Sequence, residues 1–244
     1  MSHIVEVFSG IQGEGPIVGY RQIFVRFSNC QLACNYCDTN FTEKDHAMVE
    51  ITPGHRDWSR WHNPISADKL VQHILSMYQH LRHHSVSLTG GEPLLHASYL
   101  KDLTNQLIEH NIKSYLETNG LLHRQLKSII SNLDLIGMDI KLESATGEAT
   151  KWTEHETFLE IAKQKQVFVK IVVSNKTTIE EVEQVAKLIL KQGKSIPLIM
   201  QPVTPTKEVQ APAPDMLLVL MNAAIGILTD VRVIPQTHVM LNQQ

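Results

Sequence analysis

The chain has 244 residues, of which 43% are hydrophobic and 19% are charged, an ordinary composition for a globular protein. Its formal net charge of −3 argues against a general electrostatic grip on nucleic acid or on an acidic membrane. Met1–Glu6 has no basic or apolar run of the kind that opens a targeting signal. The longest apolar stretch, Met216–Leu228, is interrupted by Asn222 and Gly226 and is too short to cross a bilayer. We therefore expect a cytoplasmic protein that binds neither nucleic acid nor membrane.

Strand-like and helix-like stretches alternate from about residue 20 onward. The predicted strands are Gln22–Phe27, Ser85–Leu88, Lys113–Glu117, Leu135–Ile140, Val167–Val173, Pro197–Val203 and Val231–Ile234. The predicted helices are Ser66–His84, segments around 100–108 and 122–129, two helices opened by capping boxes at Thr153 and Thr178, and Asp215–Ile225. This alternation predicts an α/β fold with a mainly parallel sheet, open or wrapped into a partial barrel, in a single domain over residues 1–244. Asp45–Pro64 interrupts the pattern and is predicted to be a loop insertion.

Three cysteines are the sharpest feature of the sequence. Cys30, Cys34 and Cys37 are the only ones, and their spacing is C-x3-C-x2-C. An odd, closely spaced set is a poor disulfide framework. Three thiolates on one short loop leave an iron of a 4Fe–4S cluster open for an outside ligand. The alternatives are a zinc site completed by one of the thirteen histidines and chance clustering of buried cysteines.

Polar segments follow the later predicted strands. Thr89-Gly90-Gly91-Glu92-Pro93 comes after one strand, although by itself such a segment is more often a tight turn. Glu117–Gly120 and Met138–Lys141 end the next two strands. Their side chains would gather at the same edge of the sheet as the cysteine loop. Asp139 and Lys141 suit a structural ion pair equally well.

The cysteine spacing, with the aromatic Tyr36 before the last cysteine, resembles the radical S-adenosylmethionine (SAM) superfamily. The resemblance implies a partial (βα) barrel, a 4Fe–4S cluster on the three cysteines, and SAM on the open iron. Reduction of SAM there yields a 5′-deoxyadenosyl radical. It also implies a reducing partner such as a flavodoxin or a ferredoxin. Glu92 would accept from the ammonium group of SAM, and Tyr36 would pack beside the adenine.

Other segments resemble the 7-carboxy-7-deazaguanine synthase family from about residue 4 to residue 238. They are Gln12-Gly13-Glu14-Gly15, Arg26, Cys37-Asp38-Thr39 and Pro235-Gln236-Thr237-His238. The resemblance implies a lyase that converts 6-carboxy-5,6,7,8-tetrahydropterin to 7-carboxy-7-deazaguanine. A radical at C6 would drive the ring contraction, which expels ammonia. This reaction belongs to the biosynthesis of queuosine, a tRNA modification, and of related 7-deazapurines.

Site residues follow from this second resemblance. The residues implied for the substrate are Ile11, Gln12, Gly13, Glu14, Arg26, Thr89 and His238. The residues implied for SAM are Tyr36, Asp38, Gly91, Glu92, Lys141, Gln201 and Gln236. Thr39 would hold a magnesium ion, which prefers hard oxygen ligands, and Arg26 would match the substrate carboxylate. Without the family, a turn at Gln12–Gly15, a salt bridge at Arg26 and a cap at Thr39 would be the ordinary interpretations. A homodimer is compatible with these expectations.

Two rival functions share part of the pattern. An activating enzyme for a glycyl-radical protein has the same cysteine spacing, but it does not account for Gln12–Gly15 or Pro235–His238. A zinc-binding or electron-transfer module without catalysis does not account for the Thr89–Pro93 segment or for the long βα array.

Overall fold

The computed structural model describes residues 1–37, 39 and 41–243, so the predicted site residue Asp38 lies outside the described residues. One sheet runs through this part of the chain, and its order is β10-β9-β8-β7-β6-β5-β2-β1-β3-β4. The strands are β1 (Ile4–Ile11), β2 (Arg21–Phe27), β3 (His46–Glu50), β4 (Trp58–His62), β5 (Ser85–Gly90), β6 (Ser114–Thr118), β7 (Leu135–Asp139), β8 (Gln166–Val173), β9 (Leu198–Pro202) and β10 (Val231–Val233). The helices are α1 (Ala67–His80), α2 (Ala97–Glu109), α3 (His123–Ile129), α4 (Glu143–Thr146), α5 (Trp152–Ala162), α6 (Ile179–Gln192), α7 (Pro214–Ile225) and α8 (Thr237–Met240).

The sheet is mainly parallel, which confirms the predicted α/β class. Strand β2 pairs in parallel with β5, and parallel pairing continues strand by strand to β10. Strand β1 pairs with β2 in the antiparallel direction, and β3 and β4 extend the sheet beyond it. Because β2 and β5 to β7 all run the same way, the segments that follow them meet at one edge.

Alternation along the strands gives the sheet two different faces. In β8, Val169 and Ile171 point into the main hydrophobic core beneath the helices, whereas Lys170 lines a cavity on the other face. The same alternation in β7 buries Met138 in the core and turns Asp139 to the cavity. Successive strand residues point to opposite faces, so the parallel strands carry a helix-covered apolar face and a polar inner face.

Helix α1 illustrates how the outer layer is held. Ser66 caps its first turn by accepting a hydrogen bond from the Lys69 N–H, at 3.3 Å. Leu70, Ile74 and Met77 fall on one helical face and are fully buried. Burying such a side chain contributes about 1.5–3 kcal/mol, so this face anchors the helix to the sheet.

Three parts of the chain differ from the sequence prediction. Asp45–Pro64 is not a loop, because β3 and β4 form a hairpin that adds two strands to the sheet. The sequence gives little indication of this hairpin, because Ala47 and Val49 are the only buried apolar residues that alternate in β3. Strand β1 was not predicted at all. Helix Ser66–His84 ends earlier, at His80.

Of the two predicted capping boxes, the structure confirms one and contradicts the other. The Thr178 side chain accepts from the Glu181 N–H at 3.2 Å, and the Glu181 carboxylate accepts from the Thr178 N–H at 3.0 Å, which confirms the second box. The first box is wrong, since α5 begins at Trp152 and Lys151 precedes it without a side-chain cap. No helix within the described residues combines the length and apolar character needed to span a membrane.

Candidate active site

The inner face of the sheet and the loops at its carboxyl edge enclose a cavity of about 800 Å³. This volume is in the range of small-molecule sites. The wall of the cavity contains every described residue of the predicted site except Glu92. The cysteine loop forms one part of the wall, and the segment Ile11–Glu14 and His238 form another. The structure therefore brings together residues that are more than 200 positions apart in sequence.

Hydrogen bonds to neighbouring segments hold the cysteine loop on two sides. The Asn35 N–H donates to the Thr146 carbonyl at 3.0 Å, and the Ala33 N–H donates to the Glu148 carboxylate at 2.7 Å. On the other side, the Glu92 N–H donates to the Asn29 carbonyl at 2.8 Å. These contacts fix the loop before any metal is bound.

The three thiols fit an iron–sulfur cluster. All three line one cavity, with Cys37 exposed and the other two half-buried. Within the described residues, no three His, Cys, Asp or Glu side chains converge as the ligands of a single metal ion would. A 4Fe–4S cluster takes each thiolate on a separate iron, so its ligands face a shared space and need not converge on one point.

Gly91 is required at its position by a close approach of two backbone segments. A Cβ built there would lie 1.9 Å from the Asn29 carbonyl oxygen. The sequence analysis assigned this glycine to an approach by SAM. It does line the cavity, but the contact that excludes a side chain is with the cysteine loop.

Asp139 and Lys141 form an ion pair and also line the cavity. The structural ion pair and the place at the site, which the sequence left as alternatives, are therefore both present. Lys141 Nζ lies 2.8 Å from Asp139 Oδ2 and 2.9 Å from the Tyr36 hydroxyl. The other carboxylate oxygen of Asp139 is buried and has no hydrogen-bond partner among the described residues. This oxygen is therefore a buried acceptor whose hydrogen-bonding capacity is unused among the described residues.

Glu14 accepts hydrogen bonds from three side chains of the site. Lys170 Nζ lies 2.5 Å from it, and the Gln236 and Gln201 amides donate to it at 2.8 and 3.2 Å. Burial alone would raise the pKa of Glu14, but the charge and hydrogen bond of Lys170 lower it to about 2. Glu14 is therefore an ionised acceptor at neutral pH.

Lys170 was missed by the sequence analysis. It is the one charged residue inside the apolar run Val167–Val173, and a lone charge in a buried strand could have been the signal. Its Nζ also lies 3.4 Å from Asp139, so it joins the Glu14 side of the cavity to the Asp139–Lys141 side.

Gln12 was predicted to bind the substrate, but its side chain already makes three hydrogen bonds within the protein. Its amide donates to Gln22 at 2.9 Å and to Glu117 at 3.0 Å, and its carbonyl accepts from the Glu14 N–H at 2.9 Å. Gln12 thus shapes the turn that presents Glu14.

Glu117 also lines the cavity and accepts a hydrogen bond from Ser87 at 2.6 Å. Burial and the nearby Glu14 charge raise its pKa. It ends a predicted strand but was not among the predicted binding residues.

Arg26 forms a salt bridge, which the sequence analysis gave as its alternative role. Its Nε donates to Glu6 at 2.6 Å, while Nη1 lies 3.5 Å from the Thr39 hydroxyl. Both Arg26 and Thr39 line the cavity. The guanidinium is therefore held by one edge beside the predicted magnesium residue.

The segment that contains His238 packs on the turn that contains Gly13. The Thr237 N–H donates to the Gly13 carbonyl at 2.9 Å. A Cβ on Gly13 would lie 2.3 Å from Nδ1 of His238, so the glycine leaves room for the imidazole. Ile11 and Thr89 complete this part of the wall.

Glu92 does not take the place predicted for it. Its side chain is 0% exposed and is absent from the cavity wall. Its carboxylate accepts from the Leu94 N–H at 3.0 Å, the Thr118 hydroxyl at 2.9 Å and the Asn119 N–H at 2.8 Å. The expectation that it binds the ammonium group of SAM is therefore corrected, because the chain turns the side chain inward to cap Pro93–His96.

Comparison with known proteins agrees with this geometry. Residues 24–193 match the model of the Radical SAM superfamily, and the parallel sheet with its three-cysteine loop defines a radical SAM enzyme. A 4Fe–4S cluster and SAM are the cofactors of that class. A curated 7-carboxy-7-deazaguanine synthase from Geobacter sulfurreducens is 41% identical over 99% of this chain and 98% of its own length. The chain belongs to the 7-carboxy-7-deazaguanine synthase family.

Further similarities are weaker in sequence. A 7-carboxy-7-deazaguanine synthase from Methanothermobacter thermautotrophicus is 34% identical, with 96% of this chain and 95% of the relative covered. The crystal structure of QueE from Escherichia coli has a TM-score of 0.63 at 22% identity, covering 98% of this chain and 95% of that one. Streptococcus suis SuiB bound to S-adenosylmethionine has a TM-score of 0.56 at 16% identity, covering 87% and 48%. These two structures share the fold.

Proposed function

We propose that this enzyme converts 6-carboxy-5,6,7,8-tetrahydropterin to 7-carboxy-7-deazaguanine with loss of ammonia. The observation that carries the proposal is that one cavity contains the cysteine loop, a cationic side chain and an anionic side chain. Arg26 offers a cation, and Glu14 offers an anion that is ionised at neutral pH. The substrate has the complementary poles, a carboxylate and a guanidine-like edge rich in N–H donors.

Cys30, Cys34 and Cys37 would hold the cluster. SAM bound there supplies, on reduction, the 5′-deoxyadenosyl radical that abstracts hydrogen. Tyr36 is part of the cysteine loop and suits the adenine of SAM, and Lys141, which contacts Tyr36, suits an anionic group of SAM. Gly91, Gln201 and Gln236 are further SAM candidates on the same wall.

The pterin would lie between the two charged poles. Arg26 can pair with its carboxylate through the Nη groups, because Nε is already occupied by Glu6. Glu14 can accept from the guanidine-like edge. Gln12 and Gly13 shape this end, and His238 closes over it.

Magnesium would bind where Thr39 and Arg26 meet. A threonine hydroxyl, the substrate's carboxylate and ring oxygen, and water together give the hard oxygen ligands that Mg²⁺ prefers. The 3.5 Å separation of Arg26 Nη1 and Thr39 Oγ1 lets one substrate carboxylate reach both the guanidinium and the ion.

The surrounding biology follows from the reaction. A flavodoxin or ferredoxin would supply the electron, and the product would feed the biosynthesis of queuosine or of a related 7-deazapurine in the cytoplasm. We propose that residues 1–244 act as one domain and that a homodimer is the form to test first by light scattering.

The decisive test is anaerobic incubation of the reconstituted protein with SAM, dithionite and the carboxytetrahydropterin. Mass spectrometry should detect 7-carboxy-7-deazaguanine together with ammonia. A Cys34→Ala protein, which lacks one thiolate, is the matched control and should give no product. Cleavage of SAM by the intact protein without any 7-carboxy-7-deazaguanine would refute the substrate assignment and leave the radical SAM class standing.

A further inference from the structure

Asn119 lies directly behind the cysteine loop. It follows β6, its side chain is part of the cavity wall, and the residue is only 5% exposed. Its amide nitrogen Nδ2 is 3.9 Å from the Sγ atom of Cys30. No role is assigned to Asn119 by the function proposed above.

Hydrogen bonds to its oxygen fix the orientation of this amide. Asn119 Oδ1 accepts from Gln31 Nε2 at 3.1 Å and from the Leu121 N–H at 3.3 Å. An amide oxygen can only accept, and an amide NH₂ can only donate. Exchanging the two atoms would set donor against donor at the Leu121 N–H, a backbone group that cannot reverse its role, so the NH₂ group is the one that faces the sulfur of Cys30.

Glu92 holds Asn119 in this place. Its carboxylate accepts from the backbone N–H of Asn119 at 2.8 Å and from the Thr118 hydroxyl at 2.9 Å. Its own N–H donates to the Asn29 carbonyl at 2.8 Å, one residue before Cys30. One buried residue thus ties together the loop that carries the sulfur and the strand end that carries the donor.

A donor directed at a cysteine sulfur has a defined effect on an iron–sulfur cluster. Hydrogen bonds to the sulfurs are among the factors that set the reduction potential. Since the reduced cluster carries more negative charge, a hydrogen bond to its ligand stabilises the reduced form over the oxidised form. Removing the donor should make the potential more negative.

We propose that Asn119 is a positioning residue whose amide hydrogen-bonds the cluster ligand Cys30 and raises the reduction potential of the 4Fe–4S cluster, and that Glu92 holds it there. The proposal rests on the assignment of the cluster to the three cysteines in the proposed function. It gives the buried Glu92 a role toward the cluster in place of the contact with SAM that the sequence suggested.

The test is a redox titration of the reconstituted protein without SAM, followed by electron paramagnetic resonance. Asn119→Leu has similar size and no donor, and Asn119→Asp replaces the NH₂ group by oxygen. Both should keep about four irons, as a 4Fe–4S cluster requires, and both should shift the potential to more negative values. The shift should be larger for Asn119→Asp if that carboxyl is ionised. Glu92→Gln should shift it in the same direction and by less.

Asn132→Leu is the matched control. The Asn132 amide donates to Thr104 at 3.2 Å and to Asn105 at 2.7 Å, before the amino end of β7 and away from the cysteine loop. This variant loses amide hydrogen bonds of the same kind and should keep the wild-type potential.

The outcomes separate the two proposals. A wild-type potential in iron-replete Asn119→Leu would overturn the inference alone. If Asn119→Leu cannot hold iron, the more conservative Asn119→Asp decides in the same way. Wild-type protein that takes up no cluster under reconstitution would overturn the proposed function, and the inference with it.

Discussion

Lys170 and Glu14 form a mostly buried ion pair in the wall of the cavity. The side chains are 15% and 17% exposed, and Lys170 also reaches Asp139, at 3.4 Å. Asp139 in turn pairs with Lys141. Two cations and two anions thus form a continuous, mostly buried chain whose formal charges cancel.

Replacing Lys170 by methionine should destabilise the fold and weaken substrate binding. Removing one partner of a mostly buried pair leaves the other charge uncompensated, at a cost of at most about 3–5 kcal/mol. Urea denaturation would measure this loss. The control is Lys187→Met, which breaks the exposed pair with Glu183 (62% and 41% exposed) and should cost about 0.3–0.5 kcal/mol. Equal losses in the two variants would contradict the prediction.

His155 should make stability depend on pH in the acid range. Its Nε2 accepts from the Lys141 N–H at 3.3 Å and its Nδ1 contacts the Gly120 carbonyl at 3.1 Å, so the folded protein holds the neutral ring. Burial lowers its pKa from 6.5 to about 4. The unfolded chain therefore binds a proton that the folded chain excludes, and stability is lost as pH falls from 6.5 to 4.

Chemical denaturation across that range measures the effect. His155→Gln can keep both hydrogen bonds but cannot titrate, so its stability should fall less steeply, by up to about 1.4 kcal/mol per pH unit. His62→Gln, at an exposed position, should keep the wild-type slope. A wild-type slope in His155→Gln would show that other groups govern acid stability.

Gly91→Ala should displace the cysteine loop. The new methyl group would lie 1.9 Å from the Asn29 carbonyl oxygen, and backbone on both sides leaves nothing flexible to move away. We expect most of the iron bound on reconstitution to be lost. Gly226→Ala is the control, because the nearest atom to its Cβ is 3.7 Å away, and it should be neutral or gain about 0.4–1 kcal/mol. Full iron content in Gly91→Ala would be the contrary result.

Arg26→Ala should weaken binding of the carboxylated pterin about 10- to 100-fold, because a hydrogen bond to a charged group contributes about 1.5–3 kcal/mol. Binding of SAM, measured by calorimetry, should change little. Glu6→Gln, which keeps the guanidinium but removes its ionic partner, should affect the pterin less than Arg26→Ala does. If Arg26→Ala weakens SAM and pterin equally, the residue supports the cavity as a whole and is not specific for the carboxylate.

Thr39→Val should raise the magnesium concentration needed for half-maximal turnover at unchanged iron content. The substitution keeps the shape of the side chain and removes the oxygen that the ion would bind. Thr157→Val on α5, whose hydroxyl bonds the Thr153 carbonyl, should leave the magnesium response unaltered. A less stable protein with a normal magnesium response would identify Thr39 as a cap of its own loop.

The sequence predicts best those features that have a local pattern. The strand at residues 167–173 and the capping box at Thr178 were predicted because the apolar run of the one and the residue spacing of the other each lie within a few residues. The cysteine loop was found for the same reason. Strand β1 and the hairpin of β3 and β4 were missed, because their local sequence signal is weak and tertiary contacts decide their conformation.

Residue roles are harder to predict than residue positions. Glu92 stands in a recognisable motif, yet only the folded chain shows that its side chain turns inward to Thr118 and Asn119. Lys170 carries no motif, and its partner Glu14 is separated from it by 156 positions. Spacing identifies which residues reach the site, whereas hydrogen bonding decides what each can still bind.

The packing of the His238 segment on the turn at Gly13 joins parts of the chain that lie 224 residues apart. Closing so long a loop is slow relative to more local contacts, whereas the contact from the cysteine loop to Glu148 closes a loop of only 115 residues. During folding, the iron–sulfur site should therefore become competent before the pterin wall is complete. A chain caught at that stage could accept a cluster and still have no means of retaining its substrate, so iron content alone would overstate how much of a preparation is active.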